Sequence, residues 1–355
     1  MLLVSSATTW AEPAPPAMVR VPAGETRIGA DQGRPDEQPS FMATVATFDM
    51  DRTPVTVASF ADFVRRTQFV TEAERRGNSA VMTFGTGQWK LVEGATWRKP
   101  TGPQDPDAEP SHPVTHISWN DAATYCAASG KRLPSEAEWE HAARAGGKKD
   151  NEFAFGDALV KAGRYRANVW TGVFPVMNTA ADGYRTTSPV GAFGPGPLGL
   201  TDMAGNVWQW TTDWYKPYNE YAPHPSGAAH KFRNNIRSIV IPAKAGIHLQ
   251  TGDARPDMDP SFRWDDVSKF MGLSTSLSPS HRDSPRSQAG RGEKIGEMAW
   301  NEKVHRGGSF LCDPKFCYGF RVTARGHATA ESSHMHVGFR CVKSASPTAL
   351  HGATP

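Results

Sequence analysis

Two thiols with four residues between them, Cys312 and Cys317, are the residues of this chain with the most chemistry in their spacing. They lie in Arg306-Gly-Gly-Ser-Phe-Leu-Cys-Asp-Pro-Lys-Phe-Cys317, where Gly307 and Gly308 let another backbone approach closely and Ser309 offers a hydroxyl three residues before the first thiol. Such a pair serves a structural disulfide, a redox couple or a soft two-sulfur metal site. Thiolates select Cu(I) or zinc. Zinc prefers four ligands, and no CxxC or HxxxH partner is present to complete them. The chain has four cysteines, with Cys126 and Cys341 the other two, and four allow three pairings if all are oxidised. His334-Met335-His336 adds plausible copper ligands, and alternation would put both imidazoles on one face of a strand, where a solvated pair is the expectation. Paired carboxylates, a Ser-His-Asp arrangement and a phosphate-cradling glycine loop are not evident, so hydrolase and nucleotide-binding readings find no support.

Three helices announce themselves by their ends. Ser118-Trp-Asn-Asp121 is a capping-box pattern, and the helix it opens runs through Ala122 to Ser129 until Gly130 supplies a left-handed stop. Ser135-Glu-Ala-Glu138 repeats the device, and that helix passes Trp139, Ala142 and Ala143 before Gly146-Gly147. The third follows Thr56 as cap, with Val57, Phe60, Phe63 and Val64 on one face. Elsewhere the apolar runs are short and broken by Gly, Pro, Asn or Asp, which predicts short strands in an irregular α+β domain. Composition agrees. With 33 glycines, 28 prolines and 11 tryptophans in 355 residues, the chain is loop-rich and held by large rings rather than by long helices. That excludes a helical bundle and a coiled coil. The 39 basic and 36 acidic residues give a formal charge of +3, so no nucleic-acid partner is implied. No apolar run approaches the ~20 residues of a membrane span.

Residues 1–17 are read as the remains of a signal peptide and a proline-rich spacer, since Met1-Leu-Leu-Val4 is apolar and Thr9-Trp-Ala11 suits cleavage, although the first basic residue is Arg20. On that reading the protein is periplasmic or secreted, and otherwise cytoplasmic. Residues 230–298 break the texture of the rest: 278–293 is rich in Ser, Arg, Pro and Gly, a composition expected to stay disordered. Arg237 to Ile247 and Met258 to Asp266 resemble the translation of a dispersed repeat found in some bacterial genomes, which makes this segment a functionally inert insertion in a bacterial chain. Residues 346–355 read as a disordered tail.

The ordered blocks resemble the formylglycine-generating enzyme (sulfatase-modifying factor) family. The resemblance rests on Met18-Val-Arg-Val-Pro-Ala-Gly-Glu25, Asp51-Arg-Thr-Pro-Val-Thr56, His112-Pro-Val-Thr-His-Ile-Ser-Trp-Asn-Asp121, Gly130-Lys-Arg-Leu-Pro-Ser-Glu-Ala-Glu-Trp-Glu140, Gly199-Leu-Thr-Asp-Met-Ala-Gly-Asn-Val-Trp-Gln-Trp210, Arg306 to Cys317, and Gly338-Phe-Arg-Cys341. They span 18–345 apart from the insertion. The family implies an elaborated C-type-lectin-like fold with little regular secondary structure, and a monomer. It also implies oxidation of a sulfatase cysteine, in a Cys-x-Pro-x-Arg type segment, to Cα-formylglycine with dioxygen. Cys312 and Cys317 match the cysteines that hold Cu(I) in such enzymes, Ser309 matches a serine beside the oxygen pocket, and Trp208 matches a tryptophan lining it. Cys126 and Cys341 match a family disulfide; a second family bridge is absent, its positions being Ala143 and Val322. Two calcium sites are implied: Asn168, Val169, Asp182 and Tyr184 for the first, and Asp202, Gly205, Val207 and Gln209 for the second, with Gln209 where the family has Glu.

Departures cluster where the substrate peptide would lie. Ala328-Thr-Ala-Glu-Ser-Ser333 stands where the family reads Asn-Thr-Pro-Asp-Ser-Ser, His336 takes the place of an Asn, and Phe316 replaces a Tyr before the second thiol. The alternative reading is therefore a non-catalytic, calcium-stabilised lectin-like module of the same fold. An iron-dependent relative that couples sulfur to histidine derivatives would need an extra helical domain, for which the chain has no room.

Overall fold

The computed structural model describes residues 18–218 and 301–345. The readings of 1–17, 230–298 and 346–355 lie outside them.

Local signals place the helices where the sequence predicts. Helix α1 spans Val57–Thr67, with Thr56 Oγ1 accepting from Ser59 N at 3.1 Å, and it buries Val57, Phe60 and Phe63. Helix α2, Glu72–Arg76, was not foreseen; Thr71 and Glu74 close a reciprocal capping box there. The Ser118/Asp121 and Ser135/Glu138 boxes open α3, Trp119–Ala128, and α4, Glu136–Ala143. Each box satisfies backbone donors that would otherwise lack a partner.

The strands are short. Met18–Val21 and Val342–Ser344 flank Phe48–Asp51 in an antiparallel sheet that brings the two ends of the described chain together. A four-stranded sheet runs in the order Arg325–Thr329, Glu302–Arg306, Trp208–Trp214, Val337–Gly338, antiparallel except for its last pair. Trp208–Trp214 and Glu302–Arg306 are hydrogen-bonded neighbours although residues 215–301 separate them in sequence. Two-stranded ribbons complete an α+β architecture with little regular secondary structure. Among the described residues no helix is long and apolar enough to cross a membrane.

Aromatic rings fill the core. Phe60 packs on Trp97 and Tyr125 at centroid distances of 5.2 and 5.7 Å, and Tyr125 on Phe339 at 5.2 Å. Each buried ring removes enough apolar area from water to do the work of several small side chains. The Cys126–Cys341 disulfide is formed and ties α3 to the C-terminal strand across 215 residues of chain.

A buried charge network joins α4 to the four-stranded sheet. Arg306 donates to Glu136 at 2.6 Å and also to Glu140 and to the Val322 carbonyl; Arg325 reaches Glu136 at 2.7 Å and Arg144 reaches Glu140 at 2.9 Å. Burial pushes the Glu136 carboxyl up, but Arg325 and Arg306 outweigh it and hold the group below its ordinary range. Arg306 ends its strand, so the loop that follows starts from one of the most firmly held points in the fold.

Candidate active site: the thiol pair

That loop is Gly307 to Cys317. Gly308 has φ +69°, and a Cβ there would lie 2.6 Å from Phe320 N, so the turn needs a glycine. Beyond it the chain doubles back: Cys312 N donates to Ser309 O at 2.9 Å and Cys317 N to Asp313 O at 3.1 Å. Asp313 Oδ1 accepts from Lys315 N and Phe316 N at 2.7 and 3.1 Å, an Asx turn that aims Cys317 back at Cys312. The two sulfurs stand 2.7 Å apart and unbonded.

The pair is asymmetric. Cys312 is buried, while Cys317 is half-buried at the edge of the loop. Burial pushes the Cys312 thiol well up; the hydrogen bond from Cys312 draws Cys317 down, helped by the charges of Arg34 and Arg321. Ser309 N adds a donor to Cys312 Sγ at 3.4 Å, and the Ser309 hydroxyl accepts from Leu311 N at 3.2 Å. Trp208 comes from the neighbouring strand, and glycine makes its approach feasible: a Cβ on Gly319 would sit 2.6 Å from Trp208 Cζ2 and 2.9 Å from Cys317 Sγ. Cys312, Cys317, Ser309 and Trp208 thus converge on one point, with an indole wall against the sulfur side.

Some of the site's residues carry no local signal. Arg34 Nη2 donates to the Cys317 carbonyl from 283 residues away. Behind it, Glu37 accepts from Arg321 Nη1 at 2.8 Å and from Thr323 Oγ1 at 2.7 Å, pinning the 3-10 turn Pro35–Glu37 to the segment that follows the thiol loop. Phe316 stacks on Phe174 at 4.7 Å, so the ring that replaces Tyr has an apolar partner. His305 lies with its centroid 4.7 Å from Trp208. His334 and His336 are not a solvated pair: both are half-buried, and their rings flank Trp89 at 5.9 and 4.9 Å. The aromatic wall offered by Trp89 outweighs the polarity that predicted exposure. Ala328 and Ala330 are buried.

Two sulfurs with no third thiol, imidazole or carboxylate clustered on them among the described residues fit a soft monovalent cation such as Cu(I), which tolerates low coordination. The first oxygen set also fits an ion. Asn168 is buried with Oδ1 lacking a hydrogen-bond partner, and the Asp182 carboxylate accepts from the N–H of the next residue, Val169, at 2.9 Å and from Tyr184 N at 3.0 Å. Burial pushes the Asp182 carboxyl up against those backbone bonds, a cost that a cation would offset. The second set does not fit: Gln209 turns its Nε2 donor to the Asp202 carbonyl at 2.6 Å, and both Asp202 carboxylate oxygens already accept, from Gly191 N, Thr201 Oγ1 and Asn206 Nδ2.

The profile of the sulfatase-modifying factor enzyme 1-like domain matches residues 5–345. The chain belongs to that family. It is 37% identical over 364 residues to the formylglycine-generating enzyme of Streptomyces coelicolor, covering 95% of both chains. It is also 42% identical over 272 residues to the inactive Cα-formylglycine-generating enzyme 2 of Bos taurus, across 67% of this chain and 89% of the relative. Among solved structures, PvdO from Pseudomonas aeruginosa superposes with a TM-score of 0.56 at 23% identity, covering 93% of this chain and 95% of PvdO, which supports the sulfatase-modifying factor fold alone. Family membership by itself thus spans active and inactive proteins, and the thiol loop has to decide between them.

Proposed function

We propose that the protein oxidises the active-site cysteine of a sulfatase polypeptide, within a Cys-x-Pro-x-Arg type segment, to Cα-formylglycine. The observation that carries this reading is the unbonded Cys312–Cys317 pair under Trp208. The substrate cysteine gives up two electrons and two hydrogens, one from Cβ and one from sulfur; the thioaldehyde then takes up water and releases hydrogen sulfide. Dioxygen is the acceptor and goes to two waters with two further electrons and two protons from two external thiols, which leave as a disulfide.

Cys312 and Cys317 would hold Cu(I), which supplies the soft redox centre for thiol and dioxygen chemistry. The chain's own residues do the rest. The Ser309 N–H supports the Cys312 sulfur, Arg34 fixes the Cys317 carbonyl, and Trp208 keeps water from one side of the pair. Asn168, Val169, Asp182 and Tyr184 would hold one structural Ca²⁺. The protein acts as a monomer on this reading.

Identity to the bovine inactive paralogue favours a second reading, a non-catalytic module. One experiment separates the two. Protein reconstituted with Cu(I) is mixed under air with a Cys-x-Pro-x-Arg peptide and a thiol reductant, and mass spectrometry follows cysteine to formylglycine. Conversion that disappears in Cys312→Ala and in Cys317→Ala supports the oxidase. Folded protein that neither binds Cu(I) nor converts peptide sinks it and leaves the module.

A further inference from the structure

The set formed by Asp202, Gly205, Val207 and Gln209 is occupied by the protein itself, and the orientation of one amide decides it. Gln209 Oε1 accepts from Trp139 Nε1 at 2.9 Å and from Arg340 Nε at 2.7 Å. An indole N–H and a guanidinium can only donate, so the amide oxygen must face them and the NH2 must face away. On that side Nε2 donates to the Asp202 carbonyl at 2.6 Å and points to the Val207 carbonyl at 3.5 Å. A cation at this set would need the same lone pairs and would meet N–H dipoles positive end first.

The Asp202 carboxylate is engaged as well. Asp202 Oδ2 takes Gly191 N at 2.7 Å and Thr201 Oγ1 at 2.6 Å, and Oδ1 takes Asn206 Nδ2 at 3.0 Å. Arg340 is fully buried and donates to the carbonyls of Thr201 at 2.6 Å, Asp51 at 3.1 Å, Arg52 at 3.2 Å and Asp202 at 3.3 Å. Its positive charge is already where a divalent ion would be drawn. Burial pulls Arg340 down to about 10, opposed by Asp202 and Asp51, so the side chain stays charged at neutral pH.

We infer that the Gln209 amide, backed by Arg340, takes the place of a calcium ion at this set and holds the turn before the Trp208–Trp214 strand without metal. A glutamate at 209 would keep one oxygen on Trp139 and Arg340 and present the other to the carbonyls of Asp202 and Val207, which reopens a place for the ion.

The test is calcium stoichiometry per chain, by atomic emission after equilibrium dialysis, for the native protein, Asp202→Asn, Gln209→Glu and Asp182→Asn. Circular dichroism in chelator checks that each is folded. The expected result is an unchanged count in Asp202→Asn and one additional ion in Gln209→Glu, whose melting temperature then rises on calcium addition more than that of the native protein. Loss of an ion in Asp202→Asn, or no gain in folded Gln209→Glu, overturns the inference. The first oxygen set is read separately by Asp182→Asn. A native count of zero removes that reading while leaving this inference standing.

Discussion

Two thiols face each other here because a buried sulfur and a half-buried one are held in place by backbone bonds within one loop. The Asx turn at Asp313 and the missing side chain of Gly319 set that geometry, and both can be tested one atom at a time. Gly319→Ala places a methyl 2.6 Å from the Trp208 ring, so the indole or the Cys317 side chain must move. The expected result is a fall of about a hundredfold in peptide conversion, with the circular dichroism spectrum retained, because misplacing a reacting group by about 1 Å costs that much. Asp182 makes a pH prediction. Its folded-state pKa is raised, by burial, so without calcium it favours folding at pH below 3.8, and the contribution is lost as pH rises through the folded value. Calcium prefers the ionised form. The gain in melting temperature on adding calcium should therefore grow from acid to neutral pH, and it should be absent in Asp182→Asn.

At the scale of elements, capping boxes and one buried charge network decide where the thiol loop starts and stops. Ser118→Ala removes the acceptor for Asp121 N and should cost about 1 kcal/mol, read from the urea midpoint. The 3-10 turn Pro35–Glu37 has no side-chain cap, and Arg321 and Thr323 hold its Glu37 carboxylate. Burial pushes Glu37 up, but the hydrogen bonds from Arg321 and Thr323 win and its pKa is depressed. The stability it contributes is thus present above pH 4.5 and lost as pH falls through the lower folded value. Glu37→Gln should cost about 2 kcal/mol at neutral pH and flatten that acid limb of the stability curve. Because this turn carries Arg34 onto Cys317, the same variant should also weaken Cu(I) affinity in a competition titration, a readout that stability loss elsewhere would not move.

For the whole molecule, the aromatic core and the Cys126–Cys341 bridge matter more than any single strand. The bridge spans 215 residues and closes the fold by joining α3 to the C-terminal strand. Replacing both cysteines with alanine should cost about 2–5 kcal/mol, seen as a lower urea midpoint, while Cu(I) binding persists because the thiol loop is anchored separately through Arg306. Loss of Cu(I) binding in a folded double variant would show that the two regions are coupled.

Features set by neighbours in sequence were legible from the residues alone. A capping box needs three residues' spacing, so Ser118/Asp121 and Ser135/Glu138 declared α3 and α4, and Thr56 declared α1. Cys312, Cys317, Ser309 and their glycines lie within one loop, and Trp208 was readable through the family motif. Tertiary structure alone could decide what depends on distant partners. Arg34 reaches the thiol loop, and Glu37 the segment just after it, across more than 280 residues, and nothing around them in sequence points there. The two histidines flanking Trp89 read as polar surface until the ring beside them was in place. Gln209 marks the boundary most clearly. Its chemistry allows either end of the amide to face the carbonyls, and only Trp139 and Arg340, donors brought from α4 and from the C-terminal region, determine that it is the nitrogen.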